Sequence, residues 1–96
     1  MLRFGIVKNP SDILEELALR HKAIRKKAGF SQAELAQRSG VSLGSLKRYE
    51  STGQISLESL LKLAHVLNRL EDFDLIFKPA DNLEAIEKLF SDKTRK

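Results

Sequence analysis

Ninety-six residues suffice for one small domain and are too few for two. The absence of Cys excludes a disulfide framework and a thiolate zinc site, and no run of about eighteen apolar residues is present to span a membrane. The net charge of +4 is unevenly placed: residues 1–50 hold ten Lys/Arg against five Asp/Glu, residues 51–96 seven against eight. The basic half is suited to meeting a phosphate backbone, although a solvated surface accounts for the same surplus. The opening M-L-R-F-G-I-V-K has too short an apolar core for a signal peptide. A reducing, cytoplasmic setting is expected.

Residues 1–10 alternate weakly, which suits a short strand or an extended arm, and Asn9-Pro10 breaks the pattern. A first helix is expected from about Asp12 to Ala28, capped by Ser11 or by Asp12 with Glu15 three residues on. Ile13, Leu14, Leu17, His21, Ile24 and Ala28 would form its apolar face, Gly29 would end it, and Phe30 would anchor the core. Ser31 caps a second helix, with Glu34 completing a capping box. Leu35, Ala36 and the Arg38 stem would face inward, and Gly40 allows a sharp turn that Val41 plugs.

Ser42 caps a third helix, about Leu43 to Ser51, with Leu46 and Tyr49 inward. After the loop Thr52-Gly53-Gln54, Ser56 caps a fourth helix to about Leu67, with Leu57, Leu60, Leu61, Ala64 and Leu67 as its stripe and Asn68 closing it. A fifth helix is expected over Leu70 to Phe77. Asn82 would cap a last one, about Leu83 to Ser91, before a charged tail. The fold class is all-α, a compact bundle of five or six short helices. Residues 1–10 form an arm, 11–78 the principal unit and 79–96 a C-terminal helix and tail.

Two short helices about a Gly-containing turn make a helix-turn-helix from Gln32 to Ser51. A helix laid in the major groove needs a fixed inward face and a polar outward face whose first turn meets base edges. From Arg20 to Asn68 the chain resembles the lambda-repressor-like helix-turn-helix family, also called the Xre family. The resemblance is carried by A-I-R-K-K-A-G-F-S-Q-A-E-L-A-Q-R-S-G-V-S, S-L-K-R-Y-E and I-S-L-E-S-L-L-K-L-A-H-V-L.

The resemblance implies a phosphate contact for Gln32 at the start of helix two. It implies base contacts in the first turn of helix three, which Ser42 opens and Leu43, Gly44 and Ser45 form. Lys47 and Arg48 follow one turn later, Arg48 suited to bidentate reading of guanine and Lys47 to phosphate. The reading positions depart from the usual polar set. Leu43 can only touch a thymine methyl and Gly44 can let the backbone approach, so specificity would rest on Ser45, Arg48, DNA shape and half-site spacing. The family also pairs an arginine on helix one with an acid ending the recognition helix. Here those are Arg25 and Glu50, a semi-buried pair or two solvated charges.

His21 is expected to be tucked into the core and His65 to face solvent; two histidines and no Cys make no metal cluster. No catalytic signature or cofactor motif appears, so no enzyme and no cofactor are expected. The stripe Leu70, Phe73, Ile76, Phe77 with Ile86, Leu89 and Phe90 is either intramolecular core or a dimer surface. Double-stranded DNA and a homodimer are the expected partners of a sequence-specific repressor. Two alternatives are an antitoxin that binds a toxin and autorepresses its operon, and a fold used only for protein interaction.

Overall fold

In the computed structural model, which describes residues 8–79, five helices follow one another with no strand among the described residues. They are α1 (Pro10–Lys27), α2 (Gln32–Ser39), α3 (Leu43–Thr52), α4 (Leu57–Val66) and the single-turn α5 (Glu71–Asp74). α1 packs on α3, and α2 on both α3 and α4. The expected helix over 83–91, the charged tail and residues 1–7 of the arm lie outside the described residues.

α1 begins two residues earlier than the sequence suggests. Its cap is Asn9, not Ser11 or Asp12. The Asn9 side chain accepts the Asp12 amide at 2.9 Å, and the Asp12 carboxylate accepts the Asn9 amide at 3.1 Å. Pro10, which looks like a breaker, occupies the first helical turn, where its missing N–H costs nothing. Gly29, at φ +86°, ends α1. Its amide bonds the Lys26 carbonyl at 3.0 Å, and that of Phe30 bonds Arg25 at 3.2 Å. This pair of backward bonds is a Schellman ending. Asn68, at φ +61°, ends α4 in the same way, with the Arg69 amide on the Ala64 carbonyl at 2.8 Å.

Leu35, Leu46 and Leu63 are fully buried, one each from α2, α3 and α4, surrounded by Ala18, Ala36, Val41, Tyr49 and Ala64. Phe30, Ile55, Leu60, Val66 and Leu67 pack around them half-buried. Two expected faces hold in part: Leu17, His21 and Ile24 on α1 and Leu60, Leu61, Ala64 and Leu67 at α4 are buried or half-buried, while their other members are not. On α1, Ile13, Leu14 and Ala28 are exposed, and the inward row is Ala18, His21 and Arg25. On α4, Leu57 is exposed and Leu63 takes the centre. On α1 apolar residues occur on several sides, and on α4 the apolar side is broad, bounded by exposed Glu58, Lys62 and His65, so spacing alone leaves the central row open. Arg38 is exposed, and its guanidinium lies 5.1 Å above the Phe30 ring instead of lending its stem to the core.

α5 is half its expected length. Leu70 supplies no side-chain cap, and Asp74 sits at its negative end, where an acid is unfavourable. Phe77 adopts φ +63°. Leu70, Leu75, Ile76 and Phe77 are exposed, Phe77 at 99%, while Phe73 is half-buried.

Candidate nucleic-acid interface

The turn between α2 and α3 is fixed by its own short side chains. Ser31 caps α2 through the Glu34 amide at 3.0 Å, and the Glu34 carboxylate accepts the Ser31 amide at 2.8 Å. These bonds hold the exposed Glu34 carboxyl below its ordinary range. Gly40, at φ +78°, makes the left-handed step between the helices. The Ser39 hydroxyl donates to the Ala36 carbonyl at 3.2 Å and accepts the Val41 amide at 3.1 Å, which seats Val41 in the core. Ser42 caps α3 by accepting the Ser45 amide at 3.1 Å, and its hydroxyl donates to that of Ser45 at 2.9 Å.

α3 thereby has two unlike sides. Leu46 and Tyr49 are buried, while Ser42, Leu43, Gly44, Ser45, Lys47 and Arg48 are all exposed, Leu43 at 37%. Apart from its chain neighbours and the adjoining helix backbone, nothing lies within 4 Å of where a Cβ on Gly44 would stand. The Arg48 guanidinium donates to the Gln54 side-chain oxygen at 2.6 Å. Six of the seven sequence-derived contact residues therefore share the outer side of α3. The seventh, Gln32, is half-buried and points along another direction: its amide nitrogen donates to Glu50 at 3.0 Å.

Glu50 is where α1, α2 and α3 meet. Its side chain is 3% exposed, and it receives Arg25 Nε at 2.9 Å and Arg25 Nη2 at 2.9 Å. This is a bidentate fork, the strong geometry for an arginine–carboxylate pair. Arg25 also donates to the Phe30 carbonyl at 2.8 Å, tying the end of α1 to the entry of α2. His21 Nδ1 lies 2.9 Å from Glu50 Oε2, a partner not foreseen in the sequence. The signal was available, since positions 21 and 25 lie four apart and share one helix face.

Burial pushes the Glu50 carboxyl up. The hydrogen bonds from Arg25 and Gln32 and the charges of Arg25 and His21 outweigh it and leave the group below its ordinary range. For His21 burial dominates and lowers its pKa, and the attraction of Glu50 does not compensate. An ionised carboxylate can only accept, so neutral His21 carries its proton on Nδ1. Nε2 is then the bare nitrogen, buried with no hydrogen-bond partner among the described residues. The Tyr49 ring stands edge-on to His21 at 5.2 Å.

No group of three or more His, Cys, Asp or Glu among the described residues is placed to hold a metal ion. Among those residues no helix is long and apolar enough to cross a membrane. Comparison with curated proteins and with solved structures finds no match. A family model described as helix-turn-helix matches residues 22–73, more than half of the chain, and spans α2, α3, α4 and the Arg25–Glu50 pair. The chain belongs to the lambda-repressor-like (Xre) helix-turn-helix family of DNA-binding regulators.

Proposed function

We propose that this protein is a dimeric, sequence-specific transcriptional repressor of the cytoplasm that lays α3 in the major groove of double-stranded DNA. The observation that carries this reading is the division of α3. Its inward side is locked by Leu46, Tyr49 and the Glu50 cluster, and its outward side presents Ser42, Leu43, Gly44, Ser45, Lys47 and Arg48 together. Ser45 and Arg48 read base edges, Lys47 meets phosphate, Leu43 touches a thymine methyl and Gly44 lets the backbone come close. Gln32 uses one amide N–H on Glu50 and keeps a second for phosphate at the mouth of the groove.

Two half-sites require two copies. The exposed run Leu75, Ile76 and Phe77 supports a pairing surface just beyond α5. The same apolar run is what an antitoxin would offer a toxin, and this second reading rests on that observation. Selection of bound DNA from a random duplex pool tests the proposal. It expects a palindrome with half-sites about one helical turn apart. Absence of enrichment and of binding even at low salt would overturn it in favour of a protein-interaction role.

A further inference from the structure

Arg48 is a long, flexible side chain on an exposed helix face, yet it is held. Its Nη2 donates to Gln54 Oε1 at 2.6 Å across the turn between α3 and α4. Gln54 is held in its turn. Its amide donates to the Thr52 hydroxyl at 3.1 Å, and that hydroxyl donates to the Arg48 carbonyl at 2.7 Å. Gly53 between them adopts φ +84°, bonds the Tyr49 carbonyl through its amide at 2.7 Å, and is buried against α1. A Cβ on Gly53 would stand 3.0 Å from the Leu14 carbonyl oxygen. Hydrogen bonds therefore run from the Arg48 carbonyl through Thr52 and Gln54 back to the Arg48 guanidinium, in a turn that passes close to the backbone of α1.

The geometry points to Gln54 as a positioning residue for Arg48, setting the direction from which that arginine reads DNA. This role rests on the reading of α3 as the groove-binding helix. A guanidinium has several N–H donors in a fixed fork, so one bond to Gln54 leaves the others for a base edge. An arginine already held in place loses less conformational freedom on binding. The partner is also suitable in charge: the amide oxygen of Gln54 accepts the bond without adding a negative charge beside a phosphate backbone. Ser45 and Arg48 line the same cleft as Gln54, Ser56 and Ser59 at the start of α4, so the pair sits beside the reading face.

The test is a double-mutant cycle on the full chain, using an operator from the random-pool selection and an unrelated duplex at one fixed low salt. Gln54→Met, which keeps length and loses the acceptor, is made alone and in Arg48→Ala. Gln54→Met alone should weaken operator binding about three- to tenfold, the scale of one hydrogen bond to a charged group. It should broaden base preference at one position and leave the unrelated duplex and the thermal midpoint unchanged. In Arg48→Ala it should have no further effect. An equal loss in both backgrounds would show that Gln54 meets DNA itself, and no loss in either, with Arg48→Ala still weakened, would show that Arg48 needs no guide; both overturn the role. Should Arg48→Ala alone bind the operator as the parent does, the DNA role of Arg48 fails first and the positioning role falls with it.

Discussion

The two sides of α3 are built on opposite principles. The inner side is over-determined. Leu46 and Tyr49 are packed, and Glu50 is bound by Arg25, His21 and Gln32 from two other helices. The outer side is sparse: Leu43 and Gly44 offer no polar group, and the long cation Arg48 has Gln54 as its guide. One helix thus carries a rigid mount and a lightly furnished surface. The lesson is that placing a helix and presenting a surface on it are separate tasks, here given to different residues.

The largest way to break this contrast lies on the inner side. Arg25→Ala leaves the Glu50 carboxylate buried with its fork removed, and loss of one partner of such a pair costs about 3–5 kcal/mol. Urea denaturation should show that loss. A change below about 1 kcal/mol would mean that the pair behaves as a surface one. On the outer side, Arg48→Ala should cost about 1–3 kcal/mol of operator binding and little stability. A titration at fixed salt beside a melting curve separates the two.

The pH dependence probes the inner side again. Folding lowers the His21 pKa from its ordinary 6.5, so the unfolded chain takes the proton more readily. The stabilisation is full above about 6.5 and is lost as pH falls below it. Glu50, lowered from 4.5, adds a second loss as pH falls below that value. The melting temperature should therefore decline between pH 7 and pH 5, and His21→Gln should flatten the decline. A slope unchanged by the substitution would remove His21 from the account.

The smallest effect sharpens the outer side. Gly44→Ala meets open space in a helix and should raise stability by about 0.5–1 kcal/mol. Close backbone approach to DNA would make the same variant bind its operator more weakly. Higher stability with unchanged affinity would remove that role for Gly44.

Much of the scaffold was legible in the chain. Ser31 with Glu34, Gly40 and Ser42 are chemically specific, since each satisfies a backbone group or a conformation that few residues can, and Val41 after the turn glycine is the apolar residue that enters the core. The Arg25–Glu50 pair was legible only through the family resemblance. The limits of the inward rows of α1 and α4 were not, because Ile13, Leu14, Leu57 and Leu63 widen the apolar side, and only packing decides which of them is covered. The Asn9 cap was hidden by Pro10, which reads as a break and serves as a start. His21 was rightly placed inside the core, and its bond to Glu50, 29 residues away, was legible only through its spacing of four from Arg25 once that arginine is paired with the acid. Gln54 carried no signal of its own beyond following a turn glycine.

The open space around Gly44 bears on how such a protein changes its targets. A Cβ added there meets no packed neighbour within 4 Å, and Leu43 and Ser45 beside it are exposed as well. None of the three belongs to the packed core or the Glu50 cluster. Substitutions at these positions can therefore accumulate with little threat to folding, and a new operator preference is reachable through several single steps, each of which leaves a folded protein. On the proposed reading of α3 the scaffold is a fixed mount, and its three neighbouring outward residues are the place where a lineage, or an engineer, would rewrite the address.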